Sequence, residues 1–124
     1  MLKIRSIMKT DVLYVKEDTT IRDTAALLLQ NSITGVPVLG QGMKVVGIVT
    51  EKDIFKVLYR APTKDESVRK IMTKEVVTFD TNDDFVDLCE CLIENVFRRV
   101  VILSNGKLAG VVSRTDIVAY IMGH

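Results

Sequence analysis

Two stretches of the chain carry the same three chemically useful residues at the same spacing: Gly47, Thr50 and Asp53, and again Gly110, Ser113 and Asp116. Each follows a run of β-branched residues and precedes an apolar helical pattern, so the hydroxyl falls where a strand gives way to a helix and the acid falls in the first helical turn. That placement has two readings. As a cap, the hydroxyl accepts a hydrogen bond from the amide three residues on and the carboxylate complements the helix dipole, each contributing about 1 kcal/mol. As a binding device, the ionised carboxylate accepts two hydrogen bonds from a ribose diol while the helix start and its hydroxyls attract phosphate.

Catalytic groups are sparse elsewhere. The only histidine is the terminal His124, which offers no rigid base, so the chain is not expected to be an enzyme or to carry an enzyme cofactor or metal. Asp83 and Asp84 stand at a helix start, where they serve the dipole. Cys89 and Cys91 are two apart on a helix, which turns them roughly 200° from each other. They are expected neither to bridge nor to share a metal, with one thiol inside and the other nearer the surface.

The elements that must position the motif repeat as well. Ile7-Met8 recurs as Ile71-Met72, Val12 as Val76, Asp23 as Asp87, Leu28 as Leu92, Asn31 as Asn95, Leu39 as Leu103 and Gly42 as Gly106, each 64 positions on. After the glycine the offset falls to 63, so that Gly47–Ile54 aligns with Gly110–Ile117 and one residue is missing from a turn. Each repeat reads as strand, helix, two strands and a second helix. The first is expected at Val12–Val15, Ile21–Asn31, Val36–Leu39, Val45–Val49 and Glu51–Tyr59. The second is expected at Val76–Phe79, Asp84–Asn95, Arg99–Leu103, Leu108–Val112 and Arg114–Met122. Helix caps are expected at Thr19 or Thr20, Thr50, Thr81 to Asp83, and Ser113. The fold class is therefore α/β (α+β): residues 1–59 form repeat 1, 60–67 a polar, proline-containing linker and 68–124 repeat 2, with two βαββα repeats packed by pseudo-two-fold symmetry into one compact module.

Composition bounds the function. In 124 residues, 17 basic and 16 acidic side chains are well mixed and 48% of residues are apolar, so nucleic-acid binding is not expected and an ordinary globular core is. No apolar run approaches a membrane span and the N-terminus lacks a secretion signal, which predicts a soluble cytoplasmic protein without membrane insertion.

Ile7-Met8 and Ile71-Met72, the segment Ser32-Ile33-Thr34-Gly35-Val36-Pro37-Val38, and the two Gly-x-x-(Thr/Ser)-x-x-Asp motifs together resemble the tandem cystathionine-β-synthase-type (CBS) domain pair, or Bateman module, over nearly the whole chain. Val101 stands where repeat 1 has Pro37, a departure expected to alter rigidity more than chemistry. The resemblance implies a regulatory module that binds an adenosine-containing nucleotide (AMP, ADP or ATP) in clefts between the repeats and transmits occupancy to an unidentified regulated protein. S-adenosylmethionine or NAD(H) sensing, and dimerisation or partner binding without a nucleotide, are the alternatives. It also implies two unequal clefts. The first would join Thr50, Lys52 and Asp53 to Arg98 and Arg99, with Met72, Thr73 and Val77 about the adenine. The second would join Ser113, Thr115 and Asp116 to Thr34 and Gly35, with Met8, Lys9 and Leu13 beside the base. Arg98-Arg99 replaces Thr34-Gly35 and would clamp phosphate oxygens, which ranks the first cleft higher. The arginines also read as a solvated strand end, and Thr34-Gly35 as turn residues. Pairs of this family dimerise, and a homodimer is expected here with Phe55, Leu58 or Ile121 helping to cover neighbouring surfaces.

Overall fold

The computed structural model describes residues 2–60, 64–96 and 99–123. Each repeat forms a three-stranded sheet and two helices, as the sequence pattern predicts. In the first repeat these are β1 (Val15–Lys16), α1 (Ile21–Gln30), β2 (Gly35–Leu39), β3 (Val45–Thr50) and α2 (Glu51–Leu58). In the second they are β4 (Thr78–Asp80), α3 (Phe85–Glu94), β5 (Arg99–Ser104), β6 (Lys107–Ser113) and α4 (Arg114–Ile121). The sheet orders are β1-β2-β3 and β4-β5-β6, the first pair parallel and the second antiparallel in each. A helix crossover joins the parallel strands, and a short turn joins the antiparallel ones.

The turn explains the change of offset. Leu39 pairs with Val45 across five intervening residues, whereas Leu103 pairs with Leu108 across four. In the shorter hairpin Asn105 and Gly106 both have positive φ, 54° and 77°, the backbone that a tight Asn-Gly turn requires.

Local chemistry places the helix starts. Thr20 Oγ1 accepts the Asp23 amide at 3.0 Å, and Ile21, Thr24 and Leu28 then fall on one buried face of α1. In α3 the cap is Asp84, whose Oδ1 accepts the Val86 amide at 2.9 Å, not Thr81 to Asp83. Those earlier residues are engaged in a turn of their own, in which the Asp80 amide donates to Asp83 Oδ2 and the Asn82 amide to Asp80 Oδ1. The C-terminal end of α3 is capped from α4: Arg114 donates through Nε to the Leu92 carbonyl at 2.9 Å and through Nη2 to the Asn95 carbonyl at 2.6 Å. Both cysteines are half-buried, so the expected contrast between them is absent. Cys89 packs against the core, and burial, aided by the charge of Glu90, pushes its thiol pKa up.

The backbone gathers into two compact units, Leu13–Val76 and Met1–Val12 with Val77–His124, called here the Asp53 unit and the Asp116 unit. Their boundaries fall at Val12 and Val76, equivalent positions of the repeat, so each unit contains the opening segment of the other repeat. Ile4 and Ile7 pack with Leu88, Leu92, Val100, Ile102, Val112 and Ile117. Val68 packs with Val15, Ile21, Leu28, Val36, Val38, Val49 and Ile54, with Ile71 and Met72 beside them. This exchange shortens the opening strand. Lys9 pairs with Val111 in one unit and Val15 with Val38 in the other, so the predicted strand Val12–Val15 is reduced to Val15–Lys16.

Because Ile4 is fully buried among the strands and helices of repeat 2, Ile4→Ala is expected to cost about 2–5 kcal/mol of stability. The loss should appear in chemical denaturation as a lowered midpoint, with hydrogen-exchange protection falling at Val100–Ile102 and not at Val36–Val38.

Candidate functional site

The motif glycines are where the exchanged segments lie down. Thr73 pairs with Ile48 through two backbone hydrogen bonds, Ile48 N to Thr73 O at 2.9 Å and Thr73 N to Ile48 O at 2.8 Å. Lys9 and Val111 make the same exchange in the other unit, both bonds at 2.9 Å. A Cβ on Gly47 would stand 2.7 Å from Met72 Sδ and 3.0 Å from the Thr73 carbonyl oxygen; one on Gly110 would stand 2.6 Å from the Lys9 carbonyl oxygen and 2.9 Å from Met8 Sδ. The glycine of the motif therefore serves close backbone approach, bringing Met8-Lys9 and Met72-Thr73 against the strands that lead into α4 and α2.

At the ends of those strands the hydroxyl and the acid cap each other's residues. The Asp53 amide donates to Thr50 Oγ1 at 3.3 Å, while the Thr50 amide and hydroxyl donate to Asp53 Oδ2 at 2.9 and 3.0 Å. The Asp116 amide donates to Ser113 Oγ at 3.1 Å and the Ser113 amide to Asp116 Oδ2 at 2.9 Å. Both are reciprocal capping boxes, with aspartate in the role more often taken by glutamate or glutamine. The arrangement commits Oδ2 and leaves Oδ1 without a hydrogen bond from any described residue. The two aspartates differ in what lies near that oxygen: Lys9 Nζ is 3.9 Å from Asp116 Oδ1, whereas no described cation is within ion-pair distance of Asp53.

All the expected site residues but Arg98 lie among the described residues. The Asp53 unit holds Leu13, Thr34, Gly35, Thr50, Lys52, Asp53, Met72 and Thr73. Lys52 is exposed on the first turn of α2, Gly35 lies opposite Thr50 across β2 and β3, and the Thr34 carbonyl accepts the Glu51 amide at 2.8 Å. The Asp116 unit holds Met8, Lys9, Val77, Arg99, Ser113, Thr115 and Asp116. There Thr115 is exposed on the first turn of α4 and Arg99 opens β5 opposite Ser113. Arg98 lies outside the described residues. Within a unit, then, Gly35 neighbours Thr50 and Arg99 neighbours Ser113.

An open recess of about 210 Å³ in the Asp116 unit is bounded by Ser6–Lys9 and by Asp116, Ala119 and Tyr120 of α4. Ser6, Ile7, Ala119 and Tyr120 are not among the residues expected to line a cleft. Ala119 and Tyr120 follow Asp116 by three and four positions, the spacing that shares a helix face, so the signal was present. A second recess, in the Asp53 unit, lies at the Gly40–Met43 turn beside the Arg69–Glu17 ion pair of 3.2 Å and contains none of the expected residues.

A pair of βαββα units, each with a glycine-seated segment and a capped aspartate, defines a class, and comparison supplies its name. The CBS domain model matches residues 4–60 and 68–123. The chain belongs to the CBS-domain family, as a tandem pair. A 17.7 kDa uncharacterised protein of Acidianus ambivalens is 34% identical over 116 residues, covering 93% of this chain and 70% of that one. Among solved structures, CBSX2 in complex with AMP has a TM-score of 0.85 at 24% identity, covering 98% of this chain and 97% of that one. The CBS domain pair of protein MJ0100, in complex with 5′-methylthioadenosine and S-adenosyl-L-methionine, has a TM-score of 0.81 at 21% identity, covering 99% and 98%. At these identities the two structures show a common fold. Other curated relatives are longer: this chain spans 41% and 40% of two uncharacterised proteins, and 25% of a Methanosalsum zhilinae protein named homoserine O-acetyltransferase. Among the described residues no helix is long and apolar enough to cross a membrane.

Gly110→Ala is expected to lift Met8-Lys9 from β6 at a cost of about 1–3 kcal/mol. Amide exchange at Lys9 and Val111 should accelerate, while the Thr73–Ile48 pairing in the Asp53 unit keeps its protection.

Proposed function

We propose that this CBS pair is a regulatory ligand-binding module for an adenosine-containing nucleotide of the AMP, ADP or ATP class, and that occupancy is passed to a partner protein. The observation that carries this reading is the twice-repeated capped aspartate. One carboxylate oxygen is spent on its own helix and the other is left to accept, which suits the two hydroxyls of a ribose. An adenine-bearing ribose is also the part shared by the ligands of CBSX2 and of the MJ0100 pair, which supports the class without choosing among phosphorylated, thioether and sulfonium forms. Thr50, Lys52, Asp53, Met72 and Thr73 are the proposed ligand residues of the Asp53 unit, and Met8, Lys9, Ser113, Thr115 and Asp116 those of the Asp116 unit. Val77, Arg98, Arg99, Leu13, Thr34 and Gly35 enter the proposal through the family resemblance.

The module acts as a sensor, not a catalyst, in this reading. A ligand shifts a partner only through its unequal affinity for two states of the protein, so regulation needs no reacting group. A homodimer is part of the proposal, supported by exposed apolar residues on the terminal helices: Phe55 is 69% exposed and stacks on Tyr59 with ring centroids 5.6 Å apart, and Ile121 is 67% exposed. Leu58, half-buried, contributes less surface.

Calorimetric titration with AMP, ADP, ATP, S-adenosylmethionine and NADH is expected to show sub-millimolar binding of an adenosine compound to the wild type. Asp53→Ala and Asp116→Ala should each remove or weaken one binding event by about ten- to a hundredfold, the loss of a charge-assisted hydrogen-bonding group. Arg99→Ala should weaken AMP more than adenosine. Absence of binding by every compound leaves the module a structural or partner-binding one. Light scattering is expected to give a dimer mass that falls to the monomer in the double variant Phe55→Glu, Ile121→Glu; an unchanged mass removes these residues from the interface.

A further inference from the structure

The two half-sites share a backbone scaffold and differ in charge. At the position where the exchanged segment bonds the strand edge, the Asp53 unit presents Thr73 and the Asp116 unit presents Lys9. Opposite the capping hydroxyl, the Asp53 unit has Gly35 and the Asp116 unit has Arg99. Directly opposed cross-strand residues project to the same face, so Arg99 shares its face with Ser113. At these two positions the Asp116 unit has a cation where the Asp53 unit has Thr73 and Gly35, whereas on the first turn of the following helix the Asp53 unit has Lys52 where the Asp116 unit has Thr115.

Main-chain bonds hold Lys9 in register with Val111, and its side chain is 69% exposed, while the Asp116 side chain is only 14% exposed. Its ammonium stands 3.9 Å from Asp116 Oδ1, the oxygen that the capping box leaves to a ligand.

We infer that Lys9 is a specificity-determining residue of the Asp116 half-site, an internal counter-ion that disfavours uncharged adenosines and favours those carrying an anionic group. This rests on the reading that an adenosine-containing ligand binds here. A neutral nucleoside must displace the ammonium from Asp116 and offers nothing in return. A phosphate-bearing one supplies a new anion, so the lysine turns from carboxylate to phosphate and the carboxylate is released to the ribose. The Asp53 half-site, with Thr73 in that place, makes no such distinction through this position.

The test compares AMP and adenosine by calorimetry in the Asp53→Ala background, with and without Lys9→Thr, which installs the residue of the other repeat. The ratio of adenosine Kd to AMP Kd is expected to fall about tenfold in Lys9→Thr, the worth of one charge-assisted contact, with adenosine itself binding no more weakly. Lys9→Gln, which keeps the chain length and loses the charge, decides in the same way should Lys9→Thr fail to fold. Binding that persists with an unchanged ratio overturns the role of Lys9 and leaves the nucleotide reading standing. Failure of both compounds to bind any variant, the wild type included, overturns the two together.

Discussion

Everything else in this chain depends on a segment of backbone lying against a strand at a position where no side chain intervenes. β3 and β6 are each bonded on one side to their hairpin partner, and the other edge is open until Thr73 or Lys9 pairs with it. That pairing brings Val68, or Ile4 and Ile7, over the sheet and completes a core that the repeat's own residues leave uncovered. A Cβ at Gly47 or Gly110 would occupy the space of the segment itself. The first residue of the motif is therefore a condition of the fold before it is a feature of any binding site.

The last two residues of the motif serve both ends in a different way. A helix start has amides to satisfy, and Thr50 with Asp53, or Ser113 with Asp116, satisfies them reciprocally. Aspartate is one methylene shorter than glutamate, so the reciprocal bond holds its carboxylate close over the strand-to-helix turn. The cap fixes the orientation of the group that would receive a ligand, and does so without the ligand. Stability and pre-organisation come from the same bonds.

The elements were legible because the signals for them are local. Alternation, helical spacing and the hydroxyl-acid pair at Thr50 and Ser113 lie within a few residues of what they determine, and the structure places the helices and the inner strands within about two residues of the sequence boundaries. Where a competing local interaction existed, the reading slipped, as at Asp84, where Asp80 and Asp83 were already engaged in a turn. The ownership of residues 1–12 and 68–76 was not legible. A repeat register is a translation along the chain, and it is unchanged whether Ile4 completes its own repeat's core or the other's. Which unit they complete is decided by long-range packing. The reason for the motif glycines was hidden with it, since they contact residues distant in sequence. Lys9 was visible as a site residue through family resemblance, but its approach to Asp116 required coordinates.

Duplication followed by divergence at such positions is inexpensive for a physical reason. Thr73 and Lys9 give the fold only their amide and carbonyl groups, and both side chains are exposed, so the core is indifferent to which side chain stands there. Gly35 and Arg99, each at the start of a middle strand, stand at equivalent positions of two separate ladders, opposite Thr50 and Ser113. The buried positions behave differently. Leu28 and Leu92, Val36 and Val100, Val38 and Ile102, Val49 and Val112, and Ile54 and Ile117 remain apolar and similar in volume in both units. A scaffold that fixes its aspartates through caps and its straps through backbone bonds leaves the charges around each aspartate free to change. That division of labour permits different charges around two structurally equivalent aspartates without disturbing either core.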